Sequence, residues 1–106
     1  MRLDRLTIKA QDAVQDSQHI AEENAQQQVE PEHLLLALLR QESGIVAPIL
    51  QKLGAGPQAL ASQVQAELDS MPKTTGSSGM YISPRLKRVF DTAADEAERL
   101  KDEYIS

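Results

Sequence analysis

Apolar residues recur along the chain in stripes of helical period, not in alternation. Leu3, Leu6, Ala10, Ala13, Val14, Ser17 and Ala21 fall every three or four positions, with Lys9, Asp12, Gln15 and Asp16 between them. This pattern predicts a helix over residues 3–24 with one face toward a core. The following AQQQ has no period and reads as a connection. Glu30 followed by Pro31 marks the next start, because proline at the first helical position gives up an amide that has no intrahelical partner. Leu34, Leu35, Leu38 and Leu39 then predict a wide buried face, and Gly44 ends that helix. A short third helix over 45–53 carries Pro48 in its first turn. Pro57 opens a fourth, whose Leu60, Val64 and Leu68 lie four apart on one side. Four helices with short connections predict a compact unit over residues 1–70.

Residues 71–82, MPKTTGSSGMYI, are rich in Gly, Ser and Thr, lack a usable period, and read as a linker or mobile loop. Ser83 and Pro84 then repeat the cap-plus-proline signal. Leu86, Val89, Phe90, Ala93, Ala97 and Leu100 predict a fifth amphipathic helix ending near Asp102. Moved by 76 positions, this helix overlies the first: Ser83 falls on Thr7, Leu86 on Ala10, Val89 on Ala13, Phe90 on Val14, Ala93 on Ser17, Ala97 on Ala21, and Ile105 on Val29. Residues 83–106 are therefore expected to open a second, incomplete repeat, whose continuation would be a VEPEHLLLALL-like helix after Ser106. The apolar face of the fifth helix should dock in part on the first unit and promote self-association.

Composition narrows this picture to an all-α fold. The 106 residues are 41% hydrophobic but include one Phe, two Tyr and no Trp, so the core is built from aliphatic side chains, and good helix formers fill most of the non-loop sequence. No segment sustains the alternating β-branched pattern of a strand. Sixteen acidic residues against eleven basic ones give a net charge of -5, which repels nucleic acid phosphates and anionic membranes. The absence of cysteine excludes disulfides, thiolate metal sites and a cysteine nucleophile. MRLDRLT lacks the apolar core of a signal peptide and no run is long enough to span a bilayer, so the expected address is the cytoplasm.

Candidate chemistry changes little. Glu30 and His33 form an E-x-x-H spacing, with Glu32 beside them, but a carboxylate-bridged di-iron bundle needs that motif twice plus two further glutamates. The three read as acids at a helix N-terminus and a histidine held at the first turn. His19 reads as a surface residue. In PKTTGSSG, Pro72 stands where a phosphate-binding loop needs glycine before its lysine. Ser77 and Ser78 lack the frame and partners of a nucleophile. Asp95, Glu96 and Glu98, interleaved with Arg99 and Lys101, read as a solvated helix face. Neither a catalytic nor a metal site is expected. A helical surface with apolar stripes and polar rims, suited to holding polypeptide, remains.

MRLDRLT, VEPEHLLLALLRQESG with IVAPILQKLG, MPKTTGSSG, and YISPRLKRVFDTAADEA ending in DEYIS occur in an order and spacing that resemble the N-terminal domain of the ClpB disaggregases of the Clp AAA+ family. The resemblance implies two pseudosymmetric four-helix repeats in an intact domain. It also implies a mobile connection to ATPase modules outside this chain, where ATP and magnesium would bind, so no cofactor is expected here. The implied role is non-enzymatic: weak capture of exposed apolar segments of unfolded or aggregated polypeptides for a hexameric motor, with a DnaK-type co-chaperone system acting at other domains. The alternative is an N-domain of ClpA or ClpC type that docks adaptor proteins. The family's polar pair beside an apolar groove maps onto Thr7 and Asp102, and two groove positions that are often leucine are Thr92 and Glu96 here.

Overall fold

In the computed structural model, residues 5–74, 80–101 and 103–106 are described. Five helices dominate: α1 (Ile8–Glu23), α2 (Pro31–Arg40), α3 (Val46–Lys52), α4 (Pro57–Ser70) and α5 (Pro84–Arg99). The helical fold expected from periodicity is observed. Ser83 is an N-cap, and Pro31, Pro57 and Pro84 open their helices where the signals placed them. Helix α1 instead starts at Ile8 behind the Thr7 cap, later than the expected residue 3, because Leu6 is taken up in a bridge to Ile105.

Two additions escaped the periodicity. Strand β1 (Gln28–Val29) pairs in parallel with β2 (Tyr81–Ile82), and Leu6 forms a parallel bridge with Ile105. Two-residue pairings are too short to write an alternating pattern. Tyr81–Ile82 belongs to the stretch 71–82 that was expected to be a linker. The other end of that stretch is also held, since Thr74 N–H donates to the Ala25 carbonyl at 2.7 Å and Lys73 Nζ to the Asn24 carbonyl at 3.0 Å. Ser77 and Ser78 lie outside the described residues.

The core has two parts that share α1. One face of α1, through Ala13 and Ile20, packs with Leu36, Ala37, Val64 and Leu68 from α2 and α4. The other, through Val14 and Ala21, packs with Leu6, Val29, Leu86 and Phe90, bringing in α5. Burying a Leu or Phe side chain contributes about 1.5–3 kcal/mol, so both contacts matter on the scale of domain stability. The inward line of α2 differs from the leucine face expected: His33, Leu36, Ala37 and Leu39 are buried, while Leu34, Leu35 and Leu38 are half-buried. The reason is that α2 is flanked by α1, α3, α4 and α5, so its innermost line follows 33, 36 and 37 and the leucines on either side meet neighbours obliquely. On α5, Leu86, Phe90 and Ala97 are buried as expected, but Val89 and Leu100 are exposed. The fifth helix docks by half of its apolar face.

Residues 76 positions apart repeat their backbone geometry. Thr7 N–H donates to the Ile105 carbonyl at 2.9 Å, and Ser83 N–H to the Val29 carbonyl at 3.1 Å. Thr7 Oγ1 accepts from Ala10 N–H, and Ser83 Oγ from Leu86 N–H. Ala25 and Lys101, one residue past the caps of α1 and α5, share the left-handed conformation with φ of 55° and 59°.

Candidate functional site

An apolar groove opens where the start of α1 meets the end of α2 and the start of α3. Thr7, Ile8, Ala10, Leu38, Ile45 and Val46 line a space of about 550 Å³. The sequence explains its character. Ile8 follows the Thr7 cap directly and points away from both cores, with 77% of its surface exposed, and α3 contributes no buried residue at all. Ile45, Ile49 and Leu53, four apart, continue the apolar surface along α3, Leu53 being 76% exposed. Contiguous exposed apolar surface of this kind is a feature that contact sites use.

Thr7, expected from the resemblance to be a binding residue, lines this groove. Its Oγ1 caps α1 by accepting from Ala10 N–H at 3.2 Å, which leaves the hydroxyl hydrogen to donate outward. Asp102, its expected partner, lies outside the described residues. The structure brings Thr92 elsewhere, to a shallow surface shared with Pro31, Arg85, Arg88, Val89 and Ala93. Glu96 is exposed and receives a double hydrogen bond from Arg99 at 2.9 and 2.6 Å, so neither of these positions contributes to the groove beside Thr7.

The Glu30–Glu32–His33 cluster is not a ligand site in this geometry. His33 is fully buried, and its Nδ1 accepts from Glu30 N–H at 2.8 Å, which places the ring proton on Nε2. That proton is donated to Gln26 Oε1 at 2.7 Å, and Gln26 Nε2 in turn donates to the Leu68 carbonyl at 2.7 Å, near the end of α4. Both ring nitrogens are occupied. Burial pushes the His33 imidazole below its usual pKa, with the Glu30 and Glu32 carboxylates acting in the opposite direction. The two carboxylates face Arg85 at 3.4 and 3.1 Å, tying α2 to α5. Among the described residues, no three His, Asp or Glu side chains gather as a metal cluster, and no helix is long and apolar enough to cross a membrane. Gln26, Gln41 and the α3 stripe were not singled out by sequence reasoning. AQQQ carries no pattern that separates a buried glutamine from a solvated one, whereas the 45, 49, 53 spacing of α3 was readable.

Residues 5–106 match the family described as the Clp repeat N-terminal domain. The chain is 39% identical over 102 residues to the chaperone protein ClpB of Bdellovibrio bacteriovorus, aligned over 95% of its own length and 12% of the relative's. It is 38% identical over 110 residues to ClpB of Clostridium tetani, covering 100% of this chain and 13% of that one. The chain thus spans about an eighth of the length of these relatives. Among solved structures, the N-terminal domain of the ClpV1 ATPase from E. coli superposes with a TM-score of 0.89 at 23% identity, covering 97% of this chain and 63% of that one. The N-terminal domain of ClpD from Arabidopsis thaliana gives 0.70 at 26% identity over 98% of this chain and 72% of that one.

Proposed function

Since the chain belongs to the family of Clp repeat N-terminal domains, we propose that it is the substrate-binding module of a ClpB-type AAA+ chaperone. It contains the N-terminal domain and not the ATPase part of such a protein. In this reading ATP and magnesium bind in the modules that follow, the parent works as a cytoplasmic hexamer, and the groove beside Thr7 takes apolar segments of unfolded or aggregated polypeptides. The observation that carries it is the groove itself, a largely apolar trough with Thr7 at its rim and exposed Ile8 and Ile45 as walls. Burial of an apolar segment there gains on the order of 25 cal/mol per Å², offset by ordering of the peptide, so binding is weak and tolerant of sequence. We expect a micromolar or weaker dissociation constant, about 8 kcal/mol or less. Titration of the isotope-labelled domain with a permanently unfolded protein should shift the methyl resonances of Ile8, Leu38, Ile45 and Val46. Shifts confined to α5 would overturn the assignment.

The second reading, docking of a folded adaptor, draws support from α3. Its stripe runs from Ile45 in the groove wall to Ile49 and Leu53 beyond the lined space, an exposed helix row that suits a complementary folded surface better than a flexible chain. Leu53→Asp separates the two. It should leave capture of unfolded protein unchanged if the groove is the site, and abolish adaptor binding if the stripe is.

A further inference from the structure

One wall of the groove, residues 41–45, is tied to the opposite wall by two long side chains. Gln41 Nε2 donates to the Lys9 carbonyl at 2.7 Å, and Lys9 Nζ donates back to the Glu42 carbonyl at 2.9 Å. This reciprocal pair joins the first turn of α1 to the residue that caps α2. Neither side chain belongs to the two apolar cores, so the pair adds nothing to their packing.

The placement of Gln41 is specified by its neighbours. A Cβ added at Gly44 would come within 3.1 Å of both Cβ and Oε1 of Gln41, so the glycine leaves the space that the amide occupies. Between them Ser43 takes a φ of 58°, a left-handed turn that costs a non-glycine residue roughly 1–2 kcal/mol and turns the chain sharply between α2 and α3. A strained turn, a tight space at Gly44 and a reciprocal hydrogen-bonded tie all converge on the spacing between Ile8 and Val46.

We propose that Gln41, with Lys9, is a positioning residue that clasps the groove at a fixed width before polypeptide arrives. The inference rests on reading the groove as the polypeptide site. Its physical basis is preorganisation: a wall already held pays no ordering cost on binding, whereas a wall that samples wider positions lowers the apparent affinity by the fraction of time it is competent. Without the Gln41 donor, the 41–45 turn keeps its chain connections but loses its registry with α1.

The test uses the 106-residue chain and three variants. Gln41→Met keeps the length of the side chain and removes the donor; Gly44→Ala displaces the amide; Lys9→Met removes the return bond. In the free domain, methyl relaxation dispersion at Ile8, Ile45 and Val46 should rise in all three variants and stay unchanged at Val14 and Val29 in the α5 core. With reduced, carboxymethylated lysozyme as the probe, Gln41→Met and Gly44→Ala should bind about three- to tenfold more weakly, with melting temperatures close to that of the parent chain. If the parent chain binds at the groove but the variants bind as tightly with unaltered relaxation, the clasp is wrong and the groove stands. If the parent shows no shift at the groove, the polypeptide reading fails. The relaxation measurement then decides the clasp by itself, unaltered dispersion overturning it.

Discussion

Helices α1 and α5 occupy equivalent places 76 residues apart, with the same caps, the same strand-like bonds and the same left-handed exit, yet they are buried differently. On the face they turn toward each other, equivalents match: Val14 and Phe90 meet in one cluster, and Ala21 and Ala97 are both buried. On the opposite face they diverge. Ala13 is fully buried under α2 and α4, while its equivalent Val89 is 43% exposed. Ile20 is buried, but its equivalent Glu96 is on the surface. Two helices with nearly the same backbone frame thus differ because one has two neighbouring layers and the other has one. A buried face is a property of the neighbours as much as of the stripe.

The largest test of this contrast is Phe90→Ala. Truncating a buried aromatic typically costs about 3–5 kcal/mol, and Phe90 is 4% exposed in the cluster that holds α5. Because α5 is held on one side only, the cost should fall on its docking. Native-state hydrogen exchange should show α5 amides losing protection first, with α2 and α4 retaining theirs. Equal loss everywhere would mean that the two cores are one cooperative unit.

The layer that α5 lacks contains the polar chain from Glu30 through His33 and Gln26 to Leu68, and breaking it is the second test. His33→Leu strands the part-buried Glu30 amide and the buried Gln26 side chain, and a buried group that loses its partner costs about 1–3 kcal/mol. The same residue sets a pH dependence. Its folded-state pKa is depressed by burial, so the unfolded chain binds the proton more readily. The stabilisation by neutral His33 is complete above pH 6.5, the ordinary value, and is lost progressively as pH falls from there toward the folded-state pKa. Urea midpoints of the parent chain should therefore fall between pH 7.5 and 5.5 more steeply than those of His33→Leu.

The contrast also explains what could be read in advance. Four helix-start signals were legible because caps and prolines act locally: Pro31, Pro57, Ser83 and Pro84 need no distant partner to do their work, whereas the first helix was expected from residue 3 and starts only at Ile8. The docking of half of α5 was legible from its stripe, but which half required knowing where α1 lies. The strand pairs were invisible, since Gln28–Val29 and Tyr81–Ile82 find each other across more than fifty residues with no pattern of their own. At the groove, Thr7 carries a family resemblance, whereas the Gln41 clasp depends on a carbonyl thirty-two positions away and on a missing Cβ, neither of which a one-dimensional pattern records.

The caps allow a finer comparison, because both are hydroxyl caps and they differ chiefly in exposure. Ser83 is 1% exposed and bonds Leu86 N–H at 3.0 Å, whereas the Thr7 bond to Ala10 N–H is 3.2 Å and its residue is half-buried. Replacing such a cap with alanine costs about 1 kcal/mol on average. Ser83→Ala should lie above that value, since water cannot replace the lost acceptor in a buried site, and Thr7→Ala below it. Equal urea midpoints for the two variants would show that burial of the cap is irrelevant.

The smallest expected effect isolates the missing layer. Val89→Ala removes two methyl groups that gain little from burial, because Val89 is 43% exposed; exposed substitutions of this kind usually stay within about 0.5 kcal/mol. Ala13→Val makes the reverse change at the equivalent position, adding two methyl groups beneath α2 and α4 where the residue has no free surface. Overpacking there should cost roughly 1–3 kcal/mol. The pair exchanges the side chains of two positions that share a backbone frame, so local helix propensity enters with opposite signs and largely cancels in the sum of the two changes in urea midpoint, which reports the covering layer. A cost for Val89→Ala as large as that for Ala13→Val, growing with protein concentration, would mean that a second copy covers α5 in solution.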